Sequence, residues 1–163
     1  MRINLACGDD YKEGWVNVDY RDNVKIDVKH DLNKFPYPFK NGSKNFGADV
    51  CYIRNAIDCL NSPIKTIKEM ARITKTGGEV IIHSPHALSY AYLSGLEHQH
   101  HFTENTFNDY TMKEFQMDKI LKLKEVRFVY VNQWKKYIPL KKWLKIFTRG
   151  IYDDIEFRFE VIR

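Results

Sequence analysis

Three features in the first twenty residues are suited to chemistry. Leu5-Ala6-Cys7-Gly8 closes an apolar run with small side chains, where a backbone passes close to something. Seven residues separate Gly8 from Val16. Asp19 then closes Gly14-Trp15-Val16-Asn17-Val18-Asp19 with a carboxylate. In an open parallel sheet, ligands sit outside the carboxyl ends of the strands, and an acid at the end of the second strand holds a ribose hydroxyl. The pattern predicts a nucleoside-type cofactor site. The competing reading of Asp19 is a carboxylate that caps a turn after a strand. No G-x-G-x-x-G is present, and Asp19 lies eleven residues after Gly8. A nicotinamide fingerprint places its acid about 20 residues on, after a full helix. The first crossover is therefore expected to be reduced to a turn or two.

The histidines and cysteines are the other chemistry-bearing side chains. His83, His86, His98, His100 and His101 offer five imidazoles, but no H-E-x-x-H or C-x-x-C accompanies them, so no metal site is expected. His86 follows the fifth expected strand, and His101 opens a segment expected to return over the pocket. Either is a candidate general base, against the plainer reading of a structural histidine. Cys7 reads as a small packing residue rather than a nucleophile, since nothing basic neighbours it in sequence. Cys7, Cys51 and Cys59 show no paired spacing and are expected to be reduced thiols, as in a cytoplasmic protein.

The elements that must position these groups fit one α/β domain spanning residues 1–163. With 44% apolar and 14% aromatic residues the chain can fill a core, and no run of 18 apolar residues exists to span a membrane. Met1 leads almost directly into the first strand, leaving no room for a signal peptide. The net charge of +5 permits an anionic partner without demanding one. Strands are predicted at 2–6, 16–19, 25–29, 48–53, 79–83, 121–131 and 155–162. The segment 33–47, with two prolines and two glycines, reads as a loop. The clearest helix starts at Ser62-Pro63, with Ser62 as cap, and is expected to end at Gly77-Gly78. A capping-box spacing puts a short helix at Thr111 to Glu114. A second, amphipathic helix is expected over Pro139 to Gly150. There Leu140, Trp143, Leu144 and Phe147 share a face, and Lys141, Lys142, Lys145 and Arg149 lie off it.

The chain resembles the class I S-adenosylmethionine-dependent methyltransferases, in particular a compact subgroup with L-N-L-G-C-G, G-W-x-N-V-D and H-D-L-x-x-F-P-Y-P-F. Here the corresponding residues are Asn4-Leu5-Ala6-Cys7-Gly8, Gly14 to Asp19, and His30-Asp31-Leu32-Asn33-Lys34-Phe35-Pro36-Tyr37-Pro38-Phe39. The match runs through Gly77-Gly78 and Ser84-Pro85-His86 and weakens after about residue 110. It implies a Rossmann-like, mostly parallel sheet of seven strands, the last antiparallel and inserted beside the fifth. It implies S-adenosylmethionine as cofactor. Leu5, Ala6, Cys7 and Gly8 would approach the methionine moiety, Asp19 the ribose with Tyr20 beside it, Asp31 the adenine amine with Leu32 alongside, and Asn55 the floor near the methyl group. For Asp31 the plainer reading is an Asx turn. Two departures stand out. The family usually has glycine at the position of Ala6. It often carries H-x-x-E-H where this chain has Asn55-Ala56-Ile57-Asp58-Cys59.

Three functional readings follow. The first is a methyltransferase acting on a small-molecule acceptor, with acceptor recognition in residues 87–150. The second, favoured by the two departures, is a catalytically inactive methyltransferase-like binding module or partner subunit. A homodimer or a partner chain is the expected source of any cover over the acceptor, since the N-terminal extension that often provides it is missing. The third is a nucleic-acid-binding or nucleic-acid-modifying domain. Lys119 to Arg149 holds ten Lys or Arg and one acid, Glu125, interleaved with Tyr130, Trp134, Tyr137 and Trp143. The same stretch could lie on an anionic membrane surface, or form a solvated face over a packed apolar stripe. No Asn/Asp-Pro-Pro-Tyr follows the fourth strand, so the usual base-amine methylation motif is missing.

Overall fold

The computed structural model describes residues 1–163, apart from the side chains of residues 142, 145 and 146. Seven strands form one sheet: β1 (Arg2–Leu5), β2 (Val16–Asp19), β3 (Val28–Lys29), β4 (Ala48–Arg54), β5 (Thr74–Pro85), β6 (Leu121–Val129) and β7 (Asp154–Val161). Their order across the sheet is β3-β2-β1-β4-β5-β7-β6. The first five are mutually parallel; β7 pairs antiparallel with both β5 and β6. This is the Rossmann-like α/β sheet expected from the sequence, with the last strand inserted beside the fifth. The short apolar runs of β1 and β4 and the alternating phenylalanines of β7 form its core, with Ile3, Leu5, Cys51, Ile53, Phe157 and Phe159 fully enclosed. Helices α1 (Pro63–Ile73), α2 (Tyr90–Ser94), α3 (Asp109–Glu114) and α4 (Lys141–Phe147) follow along the chain.

The reduced first crossover is confirmed, and a side chain replaces the missing helix. No regular element lies between β1 and β2. Instead the buried Asn17 amide donates to Lys12 O (3.0 Å), Trp15 O (3.1 Å) and Asp27 Oδ2 (2.9 Å), while its oxygen accepts from Lys12 N (2.9 Å) and Asn4 Nδ2 (3.1 Å). One side chain thus satisfies loop backbone that a helix would otherwise satisfy internally.

The loop at 33–47 is fastened to α1. The buried Tyr37 hydroxyl donates to Leu32 O at 3.0 Å, and Arg72 reaches Tyr37 O and Phe39 O at 3.1 and 2.9 Å. Helix α1 buries Thr66, Ile67, Met70, Ala71 and Ile73. Its ends differ from expectation. Ser62 makes no side-chain capping bond, and the helix stops at Ile73, four residues before Gly77. Thr74 pairs with Ala48 in the sheet and its hydroxyl donates to Met70 O at 2.7 Å, so sheet pairing ends the helix. Gly77 and Gly78 lie inside β5, where the register jumps from Ala48↔Thr74 to Val50↔Glu79. Gly78 is enclosed: a Cβ there would stand 2.7 Å from the Thr74 methyl.

Helix α3 is capped by Asn108, whose side chain accepts from Thr111 N at 2.9 Å, so Thr111 lies inside the helix rather than at its start. Helix α2, capped by Ser89, carries little apolar periodicity and was not expected. Helix α4 is shorter than predicted, and Trp143 and Phe147, with Leu140 just before it, are 68%, 81% and 73% exposed. The expected positions of Lys142 and Lys145 off this face lie outside the described residues. Among the described residues, no helix is long and apolar enough to cross a membrane.

Candidate functional site

The carboxyl ends of β1 to β4 open onto one cleft of about 810 Å³. Ala6 follows β1; Asp19 ends β2, with Tyr20 and Arg21 after it; His30, Asp31 and Leu32 follow β3; Asn55, Ala56 and Cys59 follow β4. Leu96, Glu97 and Gln99 line it from the segment after α2. Parallel strands place their carboxyl ends on the same edge, so four separate stretches of sequence converge here. The volume lies within the range of small-molecule and cofactor pockets, roughly 300–1,000 Å³.

Asp19 is buried, 4% exposed, and heavily bonded. Gly8 N donates to Oδ2 at 2.9 Å, and Arg21 N and Nε donate to Oδ1 at 3.0 and 3.2 Å. Burial alone would raise this carboxyl. The backbone bonds from Arg21 and Gly8 and the guanidinium outweigh it and hold the group below the usual aspartate value. The carboxylate is therefore a permanent anion at neutral pH that locks the β1 turn onto the end of β2. Oδ1 already accepts twice from Arg21, whereas Oδ2, which accepts from Gly8 N, retains a further lone pair for a ligand hydroxyl.

The turn itself is strained. Ala6 has φ +50°, in the left-handed region that a Cβ disfavours. The glycine usual here in the resembling family is thus explained by the backbone. Asn55, at φ +48°, also adopts this conformation, which asparagine tolerates better than most residues. Its N–H donates to His83 O at 2.9 Å, fixing the end of β4 against β5. Asp31 accepts from Asn33 N at 3.0 Å in an Asx turn, and it also lines the cleft. Both readings of this residue are thus compatible with its position.

Leu5, Cys7 and Gly8, also expected at the cofactor, are not among the residues that line the cleft. Leu5 is fully buried in the core. Cys7 is buried too, its thiol 3.7 Å from Lys25 O, and burial followed by the Asp19 charge pushes its pKa up, as suits a packing residue. Gly8 supplies the N–H to Asp19, and Arg21 covers its Cα so closely that a Cβ would stand 2.5 Å from the guanidinium.

The structure does not bring His86 or His101 to this cleft. His86 is 1% exposed, held between Leu88 N (3.1 Å) and Glu104 Oε2 (3.4 Å), with its ring tilted on Tyr152 and Phe128. His101 is exposed, lies against Tyr92, and lines a separate, smaller cavity beside the start of α1. His83 pairs across the sheet with Asp154 at 2.9 Å. The imidazole at the cleft is His30, whose Nε2 lies 2.9 Å from Lys34 O. Sequence reasoning had passed over it, although it opens the His30-Asp31-Leu32 motif.

In the basic stretch, Lys124, Arg127 and Lys135 are tied to Glu160, Glu125 and Asp153 at 2.9, 2.5 and 2.5 Å, so part of its positive charge is neutralised locally. Of its aromatics, Trp134, Tyr137 and Trp143 are exposed, while Tyr130 is half-buried beside Tyr152.

Comparison with solved structures defines the fold class. A methyltransferase chain from the Haloferax volcanii complex with the Trm112 methyltransferase activator superposes with TM-score 0.65 at 14% identity, covering 99% of this chain and 82% of that one. An S-adenosylmethionine-dependent methyltransferase from Mesorhizobium loti gives 0.63 at 12% identity over 98% and 89% of the two chains. One from Archaeoglobus fulgidus gives 0.64 at 13% over 98% and 85%. The chain therefore has the fold of the class I methyltransferases. No protein-family model and no curated sequence relative matches it.

Proposed function

We propose that this protein is an S-adenosylmethionine-dependent methyltransferase acting on a small-molecule acceptor. The observation that carries the reading is the convergence of Ala6, Asp19, Asp31 and Asn55 on one cleft at the carboxyl edge of a methyltransferase-type sheet. The residues fit the cofactor. Asp19 is an anion with a lone pair left on Oδ2 for a ribose hydroxyl, Asp31 and Leu32 line the same cleft and would take the adenine amine, and the tight turn at Ala6 would admit the methionine end. When bound, S-adenosylmethionine supplies a methyl group already made electrophilic by its sulfonium. The protein's task is then to hold the acceptor in line and keep water out. Asn55, Leu96, Glu97 and Gln99 line the same cleft and would border an acceptor bound beside the cofactor.

Calorimetric titration with S-adenosylmethionine and S-adenosylhomocysteine tests this reading. Binding that weakens in Asp19→Ala is the expected result. No heat and no thermal shift at millimolar ligand, or binding unchanged by Asp19→Ala, would overturn it.

A second reading, a partner subunit, is favoured by one observation. Trp134, Tyr137, Leu140, Trp143 and Phe147 are all exposed around α4, an apolar surface of the kind that proteins cover in complexes. The Haloferax volcanii relative in fold was solved with an activator bound. Sedimentation of the full chain alone and with candidate partners would test this; a strictly monomeric protein with full activity by itself would remove it.

A further inference from the structure

Asp58, Cys59 and His98 form a cluster that the cofactor reading leaves unused. Asp58 and Cys59 sit in the single 3-10 turn after β4, and His98 follows α2, forty residues on. One ligand atom from each lies within 4.8 Å of the other two. The Cys59 sulfur stands 3.6 Å from His98 Nδ1, and the same nitrogen contacts Asp58 Oδ2. Asp58 is completely enclosed, yet its other oxygen, Oδ1, has no hydrogen-bond partner among the described residues. A buried carboxylate oxygen without a donor costs free energy that a cation would recover.

We infer that Asp58, Cys59 and His98 are the protein ligands of a zinc-type divalent cation at the rim of the cleft. The donor set selects the metal class. Calcium and magnesium take oxygen ligands, whereas two of the three donors here are sulfur and nitrogen; a thiolate, an imidazole and a carboxylate suit zinc. In a tetrahedral zinc site, bond lengths of about 2.0–2.3 Å put neighbouring ligand atoms roughly 3.2–3.7 Å apart, which the Cys59–His98 distance meets. The Asp58–His98 contact is closer and opens as the cation enters between them.

Three protein ligands leave a fourth position for water or for a heteroatom of the acceptor. Binding releases the Cys59 thiol proton to solvent and leaves the thiolate on the cation. The physical consequence is local. Asp58 O already accepts from Gln99 N and His100 N at 2.9 and 3.0 Å, and the cation would fasten the same segment a second time. That segment carries Leu96, Glu97 and Gln99 into the cleft.

Cobalt titration of the reduced 163-residue chain tests the site directly, with no need for activity or cofactor. One equivalent of Co²⁺ should produce tetrahedral visible bands and a thiolate-to-cobalt charge-transfer band, both lost on adding Zn²⁺. Cys59→Ser should lose the charge-transfer band, and Asp58→Asn and His98→Gln should lose one-equivalent binding, with circular dichroism reporting whether each variant folds. Should the Asp58 or His98 variant unfold, Cys59→Ser alone decides, since a hydroxyl replaces the thiol with little change of shape. No charge-transfer band in the wild type overturns the site. So does a band that survives in Cys59→Ser, which would place the thiolate at Cys7 or Cys51.

Discussion

The Gly8 amide and the Asp19 carboxylate, eleven residues apart, are joined by a 2.9 Å hydrogen bond that ties the turn after β1 to the tip of β2. The pair makes Asp19 a structural anion as well as a candidate ligand group, and its two roles separate by pH. Its folded pKa is depressed, so the stabilisation it gives is fully present above the unfolded value, about 3.9. It is lost as pH falls through the lower folded value. Asp19→Asn should therefore be less stable than wild type at pH 7, and the gap should narrow on acidification below about pH 4. Urea melts at a series of pH values would show it; a gap that widens with acid would contradict the assignment.

Ala6→Gly should stabilise the protein. Relief of the left-handed strain at φ +50° is worth roughly 1–2 kcal/mol, less about 0.5–1 for the added chain entropy. A rise in melting temperature of a few degrees is expected. A fall would mean that the alanine methyl packs usefully against the core.

Asn17→Ala removes a side chain that bonds Lys12 and Trp15 in the β1–β2 connection, Asn4 in β1 and Asp27 beyond β2. Leaving several of these groups unpaired should cost about 2–4 kcal/mol by denaturant unfolding. A loss under about 0.5 kcal/mol would mean that water replaces the amide.

His86→Ala and His101→Ala should differ in kind. His86 is enclosed against Tyr152 and Phe128, so its removal should cost about 1–3 kcal/mol of stability. His101 is exposed, and its loss should change stability by less than about 0.5 kcal/mol. Equal effects on stability would show that the packing around His86 is wrongly described. A large loss of turnover in His101→Ala with intact stability would instead restore it as a base.

Trp143→Ser and Phe147→Ser should leave the stability of the isolated chain within about 0.5 kcal/mol, because both side chains stand in solvent. Thermal melts check this directly. A loss of several degrees would mean that the α4 face is packed in solution.

Much of the sheet could be read along the chain. The apolar runs ending at Leu5, Asp19 and Ile53, and the alternation through Phe157, Phe159 and Val161, depend on local period, which a sequence carries explicitly. Helix α1 was legible in its body but not at its ends, because its stop is set by the pairing of Thr74 with Ala48. Helix α2 was missed because five residues carry too little periodicity to register.

The sequence by itself determined which residues stand at the strand tips: a small-residue turn at Ala6, a carboxylate at Asp19, another at Asp31. Tertiary structure alone decided what those residues touch. It gave Asp19 to Gly8 and Arg21, enclosed His86 away from the cleft, and brought His98 across forty residues to Asp58 and Cys59. The physical reason is that strand-end position follows from the short-range alternation of side chains. Contact between distant side chains depends on how the chain returns after β5, and no local spacing records that path.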